Sequence, residues 1–358
     1  YLHALRIRVG NQGHWKMRLL LGLALLVLTL PTYADYTVKR VEPPNWWRGF
    51  EVRELQIMVY GDNVGDLRVH VDHPGVQLLR TDRVDSNNYL FLNLVIQEDA
   101  VLGEINLEFQ HDGETVLSHA FPLYQKDPDP GHTKGFSSKD AIYLITPDRF
   151  ANGNPDNDDL PGMIEASNRN FRGGRHGGDI RGIIDHLDYL QGMGFTAIWL
   201  NPVLENNQPE YSYHGYAATD FYKVDSRYGS NEEFRELTQT ARAKGMGMIM
   251  DMIVNHSGHY HWWMSDLPTP DWINNFGVYF NTNHMHTVHQ DPNASEADRV
   301  GFTDGWFVET MPDLNQRNPL MATYLIQNAL WWIEYLGLAG IRMDTYPYPD
   351  KYFMADWS

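Results

Sequence analysis

The sequence contains no cysteine, which excludes disulfide bonds, thiolate metal sites and a cysteine nucleophile among its residues. Basic residues are also scarce. There are 28 Lys and Arg against 46 Asp and Glu, giving a formal net charge of −18 at pH 7. Because nucleic-acid binding needs clustered Lys and Arg, this balance argues against a nucleic-acid partner. The sequence also lacks a glycine-rich phosphate loop, so we expect no organic cofactor.

Long apolar runs are missing except near the N-terminus, where the run is too short to span a bilayer. Met17-Arg18 precedes the uncharged segment 19–30, and Pro31-Thr32-Tyr33-Ala34 follows it. A positively charged start, a short apolar core and a cleavage site with small residues are typical of a secretory signal peptide, which here would be residues 17–34. The alternative is a buried helix. We predict that residues 1–34 are an upstream segment and signal peptide, and that the protein is periplasmic or secreted with no membrane attachment after cleavage.

A hydrophobic content of 42% is sufficient for a packed core, and its spacing changes along the chain. From 35 to 125 the apolar residues alternate, as in Leu55, Ile57 and Val59, and turn residues such as Gly61-Asp62-Asn63 separate the runs. This pattern predicts an all-β, immunoglobulin-like sandwich over 35–125. The polar, proline-containing segment 126–138 is predicted to be a linker.

From 139 to 358 apolar strand-like runs alternate with segments of helical spacing. Repeating strand–helix units indicate a parallel sheet, either doubly wound or closed into a barrel. Residues 257–318 form a long excursion after the third of these strands. In a (β/α) barrel such a loop would be a small subdomain at the C-terminal face, where active sites form.

Polar residues lie at the ends of two of these strands. Arg342 and Asp344 are two apart on the fourth strand, so their side chains should point the same way. An Asp held ionised by an Arg can act as a nucleophile, although a plain ion pair has the same pattern. The third strand ends in Asp251, Asn255 and His256, which suggest ligand binding, a polar turn, or a metal site formed by Asp251 and His256.

Two loops carry further candidate sites. Tyr213-His214-Gly215-Tyr216 follows the second strand, and a Tyr ring there is either a sugar platform or an ordinary loop aromatic. The segment 152–159, Asn-Gly-Asn-Pro-Asp-Asn-Asp-Asp, is dense in the oxygen ligands that calcium prefers. An acidic solvated turn is the alternative for this segment.

Together and in this order, these motifs resemble the α-amylase superfamily of glycoside hydrolases. Segments 251–256 (Asp-Met-Ile-Val-Asn-His) and 340–344 (Gly-Ile-Arg-Met-Asp) are similar to two of its signature regions. Met311-Pro312-Asp313-Leu314-Asn315 is similar to the short signature of the neopullulanase and cyclomaltodextrinase branch. Segments 41–47 and 54–61 resemble the N-terminal domain of exported cyclomaltodextrinases. The resemblance implies a (β/α)₈ TIM barrel, of which about the first half is present.

The resemblance also implies roles for individual residues. Asp344 matches the catalytic nucleophile and Arg342 the residue that holds it. The implied substrate-binding residues are His256, Asn255, Tyr216, His214 and Asp251. The implied calcium ligands are Asn152, Asn154, Asn157, Asp158, Gly177 and Asp179, where Asn154 replaces a more usual Asp.

The family's acid/base Glu belongs at the end of a fifth barrel strand, and the sequence stops at Ser358 before that strand. We therefore expect a fragment that is inactive alone, from a retaining hydrolase of α-1,4 links in maltooligosaccharides, cyclodextrins, starch or pullulan, with cleavage of α-1,6 links left open. A glucan transferase, a non-catalytic glucan-binding homologue and a metal-dependent hydrolase remain alternatives. The sequence is compatible with a homodimer but does not indicate one.

We predict that export removes residues 1–34 by cleavage between Ala34 and Asp35, because the short apolar run ends in Thr32-Tyr33-Ala34. N-terminal sequencing of protein exported from a bacterial host checks this. A secreted product that begins at Met17 would contradict it.

Overall fold

The computed structural model describes residues 36–358, so the predicted signal peptide lies outside the described residues. From residue 36 onward, no helix is both long and apolar enough to cross a membrane.

The N-terminal region is a β-sandwich, which confirms the predicted all-β class. Its strands are β1 (Arg40–Glu42), β2 (Trp46–Arg48), β3 (Glu54–Tyr60), β4 (Arg68–Val71), β5 (Val76–Arg83), β6 (Tyr89–Ile96), β7 (Gly103–His111) and β8 (Glu114–Gln125). They form two four-stranded sheets, ordered β1-β3-β6-β5 and β2-β8-β7-β4. Ile57, Phe91 and Phe109 are fully buried in the hydrophobic core.

A third sheet follows, which is parallel, and its strands lie side by side in chain order. These strands are β9 (Ile142–Ile145), β10 (Ala197–Leu200), β11 (Gly247–Met252) and β12 (Gly340–Met343). All three pairings are parallel, as a (β/α) barrel requires. The sheet curls into half a barrel, as predicted.

Between residues 36 and 358 the α-helices are α1 (Pro147–Phe150), α2 (Ile180–Asp185), α3 (Leu187–Gly192), α4 (Asn231–Ala243), α5 (Glu296–Thr303), α6 (Pro319–Leu336) and α7 (Lys351–Trp357). Two of them begin at residues that are typical of helix N-termini. The Ser230 hydroxyl accepts from the backbone N–H of Glu233 at the start of α4. Helix α6 starts with the Asn318 cap followed by Pro319, and it ends at Gly337, whose φ of 65° is left-handed.

Ile183 and Leu190 lie on two short helices, α2 and α3, which meet at His186. A ring nitrogen of His186 lies 2.7 Å from the carbonyl oxygen of Gly182, the oxygen that its own backbone N–H would bond in a continuous helix. The backbone N–H bonds the Ile183 carbonyl oxygen instead. A side chain thus replaces the helical bond, and the helix breaks there.

The long segment 257–318 lies between β11 and α6 and packs against the sandwich. The Asp266 carboxylate accepts hydrogen bonds of 2.8 Å from the side chains of Ser86 and Asn88. Trp263 and Trp272 are fully buried, and the Trp272 ring lies 6.0 Å from that of Phe91. The excursion is therefore a packed subdomain with contacts to the N-terminal domain.

A buried polar cluster joins the sandwich to the barrel. The carboxylate of Glu42 accepts from the hydroxyl of Tyr324 on α6 at 2.7 Å. Arg40 pairs with Glu42 at 3.2 Å and with Asp220 of the barrel at 2.7 Å. Burial, and next to it the charge of Asp220, raises the pKa of Glu42 to about 7, although Tyr324 and Arg40 oppose the shift.

The raised pKa predicts a pH-dependent stability. Between its unfolded value of 4.5 and about 7, Glu42 keeps a proton in the folded protein that the unfolded chain has lost. The free energy of unfolding should therefore fall as pH rises through this window, by up to about 3 kcal/mol from this group. Glu42→Gln should reduce the loss between pH 5 and pH 8, measured by urea unfolding at both values.

The control is Glu98→Gln, which changes an exposed carboxylate paired with Arg53. It should leave the pH dependence as in the wild type. Equal pH dependence in the wild type and in Glu42→Gln would contradict the assignment to Glu42.

Candidate active site

Arg342 lies at the centre of the candidate site and binds two carboxylates. Its Nη1 atom lies 2.6 Å from Asp344 Oδ1 and 2.8 Å from Asp251 Oδ1. The first contact follows from the two-residue spacing that points both side chains to one side. The second follows from strand register, because Asp251 on β11 is paired with Arg342 on β12. One guanidinium therefore sets the positions of carboxylates from neighbouring strands.

Asp251 is buried beneath this ion pair and is surrounded by donors. Its second oxygen accepts from Trp199 Nε1 at 3.0 Å and from the Tyr216 hydroxyl at 3.1 Å. Burial raises the pKa of Asp251 to about 6, although its bonds to Arg342 and Trp199 oppose the shift. With three donors on its two oxygens, Asp251 is suited to hold Arg342, Trp199 and Tyr216 in place.

The structure brings Tyr216 and His214 into the same cluster. Asn201 donates to the Tyr216 hydroxyl at 2.8 Å, and that hydroxyl donates to Asp251. The His214 ring is roughly parallel to the Tyr216 ring, with centroids 5.8 Å apart. Burial, reinforced by the neighbouring His256, lowers the pKa of His214 to about 4, so this imidazole is neutral at pH 7. The Tyr216 ring thus has contacts at both one face and its hydroxyl.

Asn255 and His256 are both buried just after β11. Asn255 Nδ2 donates to Asp313 Oδ1 at 2.7 Å, which ties the strand end to the long loop. A ring nitrogen of His256, Nε2, lies 3.1 Å from the Tyr216 carbonyl oxygen. Burial lowers the pKa of His256, so its Nε2–H donates to that carbonyl while Nδ1 has no partner. His256 therefore keeps one free acceptor.

Sequence reasoning missed three residues of this network: Trp199, Asn201 and Asp313. Trp199 and Asn201 lie at the end of β10 and are two residues apart, like Arg342 and Asp344. That spacing at a strand end is the sequence signal that could have identified them. Asp313 lies inside the quoted 311–315 motif, but its role required the fold. Burial raises its pKa strongly, while Asn255 and Asn274 each donate to one of its oxygens.

Some of the residues predicted to bind calcium already use their oxygens in hydrogen bonds within the protein. Asn152 Nδ2 donates to both oxygens of Asp158, at 2.8 and 3.0 Å. The Asp179 carboxylate accepts from the backbone N–H groups of Gly153, Asn154 and Gly182, so its oxygens are largely used within the protein. Asn154 Oδ1 accepts from the backbone N–H of Asp156 at 3.3 Å.

Several oxygens in this loop nevertheless fit a hard cation. The amide oxygens of Asn152 and Asn157 are buried without a hydrogen-bond partner. Burial raises the pKa of Asp158, a cost that a bound cation would offset. A Cβ at Gly177 would lie 2.4 Å from Asp158 Oδ1, so only glycine lets the Asp158 carboxylate lie this close to the backbone. The donor set is all oxygen, as calcium prefers.

Over residues 36–358, no group of three or more His, Asp or Glu side chains is placed to hold a metal ion. The metal-dependent alternative, which used Asp251 and His256, therefore lacks a third ligand. Asp251 instead has three protein donors around it.

Two family models match this chain. One, described as the α-amylase catalytic domain, matches residues 144–355. The other, described as the cyclomaltodextrinase N-terminal domain, matches residues 40–127. They cover the half-barrel and the sandwich in that order.

Similar proteins carry related names. Neopullulanase 2 of Thermoactinomyces vulgaris is 30% identical over 72% of this chain and 42% of its own length. The β/α-amylase of Paenibacillus polymyxa is 36% identical over 62% of this chain and 18% of its own length. The crystal structure of an Anoxybacillus α-amylase matches with a TM-score of 0.50 at 37% identity, over 61% of this chain and 43% of that one.

This chain therefore spans less than half the length of these relatives. The catalytic-domain match extends over more than half of the present sequence and contains the Arg342 cluster. The chain belongs to the α-amylase family.

Proposed function

We propose that the whole protein is a retaining hydrolase of α-1,4-glucans, with Asp344 as its nucleophile. One observation carries the proposal: Arg342 holds Asp344 at 2.6 Å at the C-terminal end of β12, beside Tyr216 and His256. The C-terminal ends of barrel strands are where catalytic groups of this architecture lie. The Asp344 side chain is 12% exposed, so it is ordered by the protein yet open to a ligand.

In the proposed double displacement, Asp344 attacks the anomeric carbon and forms a glycosyl–enzyme intermediate. A carboxylic acid must protonate the leaving oxygen and then activate water. Asp251 is unsuited to that part, because its two oxygens already accept from three donors. We assign this acid/base role to a glutamate on a fifth barrel strand of the whole protein, after Ser358.

The sugar in the subsite next to Asp344 would stack on Tyr216, whose ring is fixed by Asn201 and Asp251. His256 Nδ1 is buried and has no partner, so His256 would bond a sugar hydroxyl only after its ring turns. Arg342 would stay charged throughout. Burial disfavours its charge, but the carboxylates of Asp251 and Asp344 more than offset this and raise its pKa. No step requires a phosphate or a redox group.

The kinetic prediction concerns Asp344→Asn, made in the protein expressed from its full reading frame. Asn preserves the shape but is not a nucleophile, so turnover of maltoheptaose should fall roughly 10⁴-fold while binding persists. The matched control is Asp82→Asn, since Arg80 and Asp82 form the same Arg-x-Asp ion pair on β5, at 3.0 Å. The control should keep full activity.

Activity of Asp344→Asn within tenfold of the wild type would contradict the nucleophile assignment. The same assay distinguishes hydrolysis from transfer, because products longer than maltoheptaose indicate transfer. Transfer is the second candidate because a cyclomaltodextrin glucanotransferase of Bacillus is 33% identical over 64% of this chain. An intact protein with no activity on any α-glucan would favour the non-catalytic, glucan-binding alternative.

We also propose that calcium binds the loop that contains Asn152, Asn157 and Asp158, near Gly177. The unpartnered amide oxygens and the burial of Asp158 support this assignment. The ion would neutralise Asp158 and link the loop to the backbone at Gly177. Its role would be structural, with no part in the chemistry at Asp344.

Calcium should raise the thermal unfolding midpoint, on the order of 5 °C at saturation. Asp158→Asn should abolish this increase, because it removes the charge that offsets the cation. Asp156→Asn is the control: Asp156 is exposed in the same loop and lies outside the proposed ligands, so the variant should keep the increase. A midpoint of the wild type that does not respond to calcium would contradict the proposal.

We propose further that the protein acts outside the cytoplasm, in the periplasm or the medium, on the basis of the predicted signal peptide 17–34. Starch and its dextrins are polymers that a bacterium meets there. Whether two copies associate is a question for sedimentation analysis of the mature protein.

A further inference from the structure

The backbone is strained at the residue that follows the proposed nucleophile. Thr345 comes directly after Asp344 and has a φ of 49°, in the left-handed region. A β-branched residue is an outlier there, because its side chain crowds the backbone. The Thr345 hydroxyl is buried without a hydrogen-bond partner, so its own side chain does not stabilise the turn. Such a conformation persists only where surrounding contacts impose it.

Tyr348 closes this turn and belongs to a small hydrophobic core. Its backbone N–H donates to the Thr345 carbonyl oxygen at 2.9 Å. Its buried ring stacks on that of Phe302, with centroids 4.4 Å apart, and lies 4.6 Å from the Phe307 ring. This core is separate from the main core of the chain. Both phenylalanines belong to the long loop 257–318, so Tyr348 joins the turn to that loop.

Histidines of the same loop bind the turn through polar contacts. The Tyr348 hydroxyl lies 3.0 Å from His284 Nδ1 and 3.3 Å from His286 Nε2. Because a phenol donates one hydrogen bond and can accept another, one imidazole accepts from this hydroxyl and the other donates to it. His289 Nε2 lies 2.8 Å from the Pro347 carbonyl oxygen. The loop therefore holds two successive residues of the turn.

These contacts bear on Asp344 because the nucleophile is also held from its strand side. Arg342 binds its carboxylate at 2.6 Å, and its backbone N–H donates to the Met252 carbonyl oxygen at 2.9 Å. If Thr345 relaxed to a negative φ while Tyr348 stayed bonded to the loop, the backbone at Asp344 would have to take up the rotation. The left-handed turn thus helps to set the direction of the Asp344 side chain.

We infer that Tyr348 is a positioning residue for Asp344, because its packing and polar contacts with the long loop impose the left-handed turn at Thr345. The inference rests on the proposed function of Asp344. Tyr348 is only 7% exposed, so its ring is largely closed to a ligand and it acts through the backbone. A misplacement of a reacting group by about 1 Å can lower turnover roughly 10²-fold, which sets the size of the expected effect.

The test measures hydrolysis of α-maltosyl fluoride by the protein from its full reading frame. Fluoride leaves with the bonding electron pair and needs no protonation by a carboxylic acid, so this substrate reports on attack by the nucleophile. Tyr348→Ala should lower kcat roughly 10²-fold and change KM by less than about threefold. Tyr348→Phe keeps the ring and loses the histidine contacts, so it should lower kcat about fivefold. The control, Tyr124→Ala, removes a ring that is 52% exposed in the sandwich and should keep the wild-type kcat.

Two substitutions of Thr345 separate positioning from a general loss of stability. Asn adopts the left-handed region at low cost, so in a Thr345→Asn background Tyr348→Ala should lower kcat by less than about tenfold. Val has the shape of Thr and is also β-branched, so in a Thr345→Val background the loss should stay roughly 10²-fold. Equal losses in the two backgrounds would overturn the inference, because a merely destabilised fold would not distinguish them.

Crystal structures of the variants give a readout that does not depend on activity. Thr345 should have a negative φ in Tyr348→Ala, whereas residue 345 should stay left-handed when Thr345→Asn is combined with Tyr348→Ala. A left-handed Thr345 in Tyr348→Ala would overturn the inference. Rapid hydrolysis of the fluoride by Asp344→Asn would instead refute the proposed function, and the φ of Thr345 would still decide whether Tyr348 imposes the turn.

Discussion

The contact between Arg342 and its two carboxylates is the constraint on which the rest of the site depends. It exists because β11 and β12 pair in a register that places Asp251 opposite Arg342. A shift of one residue would turn Asp251 to the other face of the sheet. Trp199 and Tyr216, which both donate to Asp251, would then lose their acceptor. Strand pairing thus helps to set the position of Asp344, because it places the Arg342 guanidinium that binds this carboxylate.

That register is supported from the sandwich side as well as from the barrel. Helix α6, which leads into β12, is bonded to β3 through reciprocal contacts of Gln327 with the Gln56 backbone, at 2.8 and 2.7 Å. Tyr324 of the same helix binds Glu42. Burying such groups is costly unless each is paired, so these contacts favour one arrangement of the two domains.

Much of this architecture could be predicted from the sequence, because its signals are local. The alternation of Leu55, Ile57 and Val59 predicted β3, and Asn318-Pro319 is a typical helix start that α6 uses. Strand β5 was not individually indicated, since its alternation is interrupted by a bulge between Leu78 and Arg80 and much of it is exposed. The pairing of Arg342 with Asp344 followed from spacing alone. Its pairing with Asp251 did not, because cross-strand register depends on the whole fold.

Asp313 shows most clearly why the remaining part of the site needed the structure. It lies 58 residues along the chain from Asn255, yet the two side chains bond at 2.7 Å. Its second oxygen accepts from Asn274, within the same long loop. Loss of either amide would leave one oxygen of this buried carboxylate without a hydrogen bond, which would destabilise the folded protein. The loop 257–318 is therefore anchored directly behind His256, whose backbone pairs with that of Asp313. A change in the shape of this loop would therefore move His256, so the loop subdomain helps to set the geometry of the candidate site.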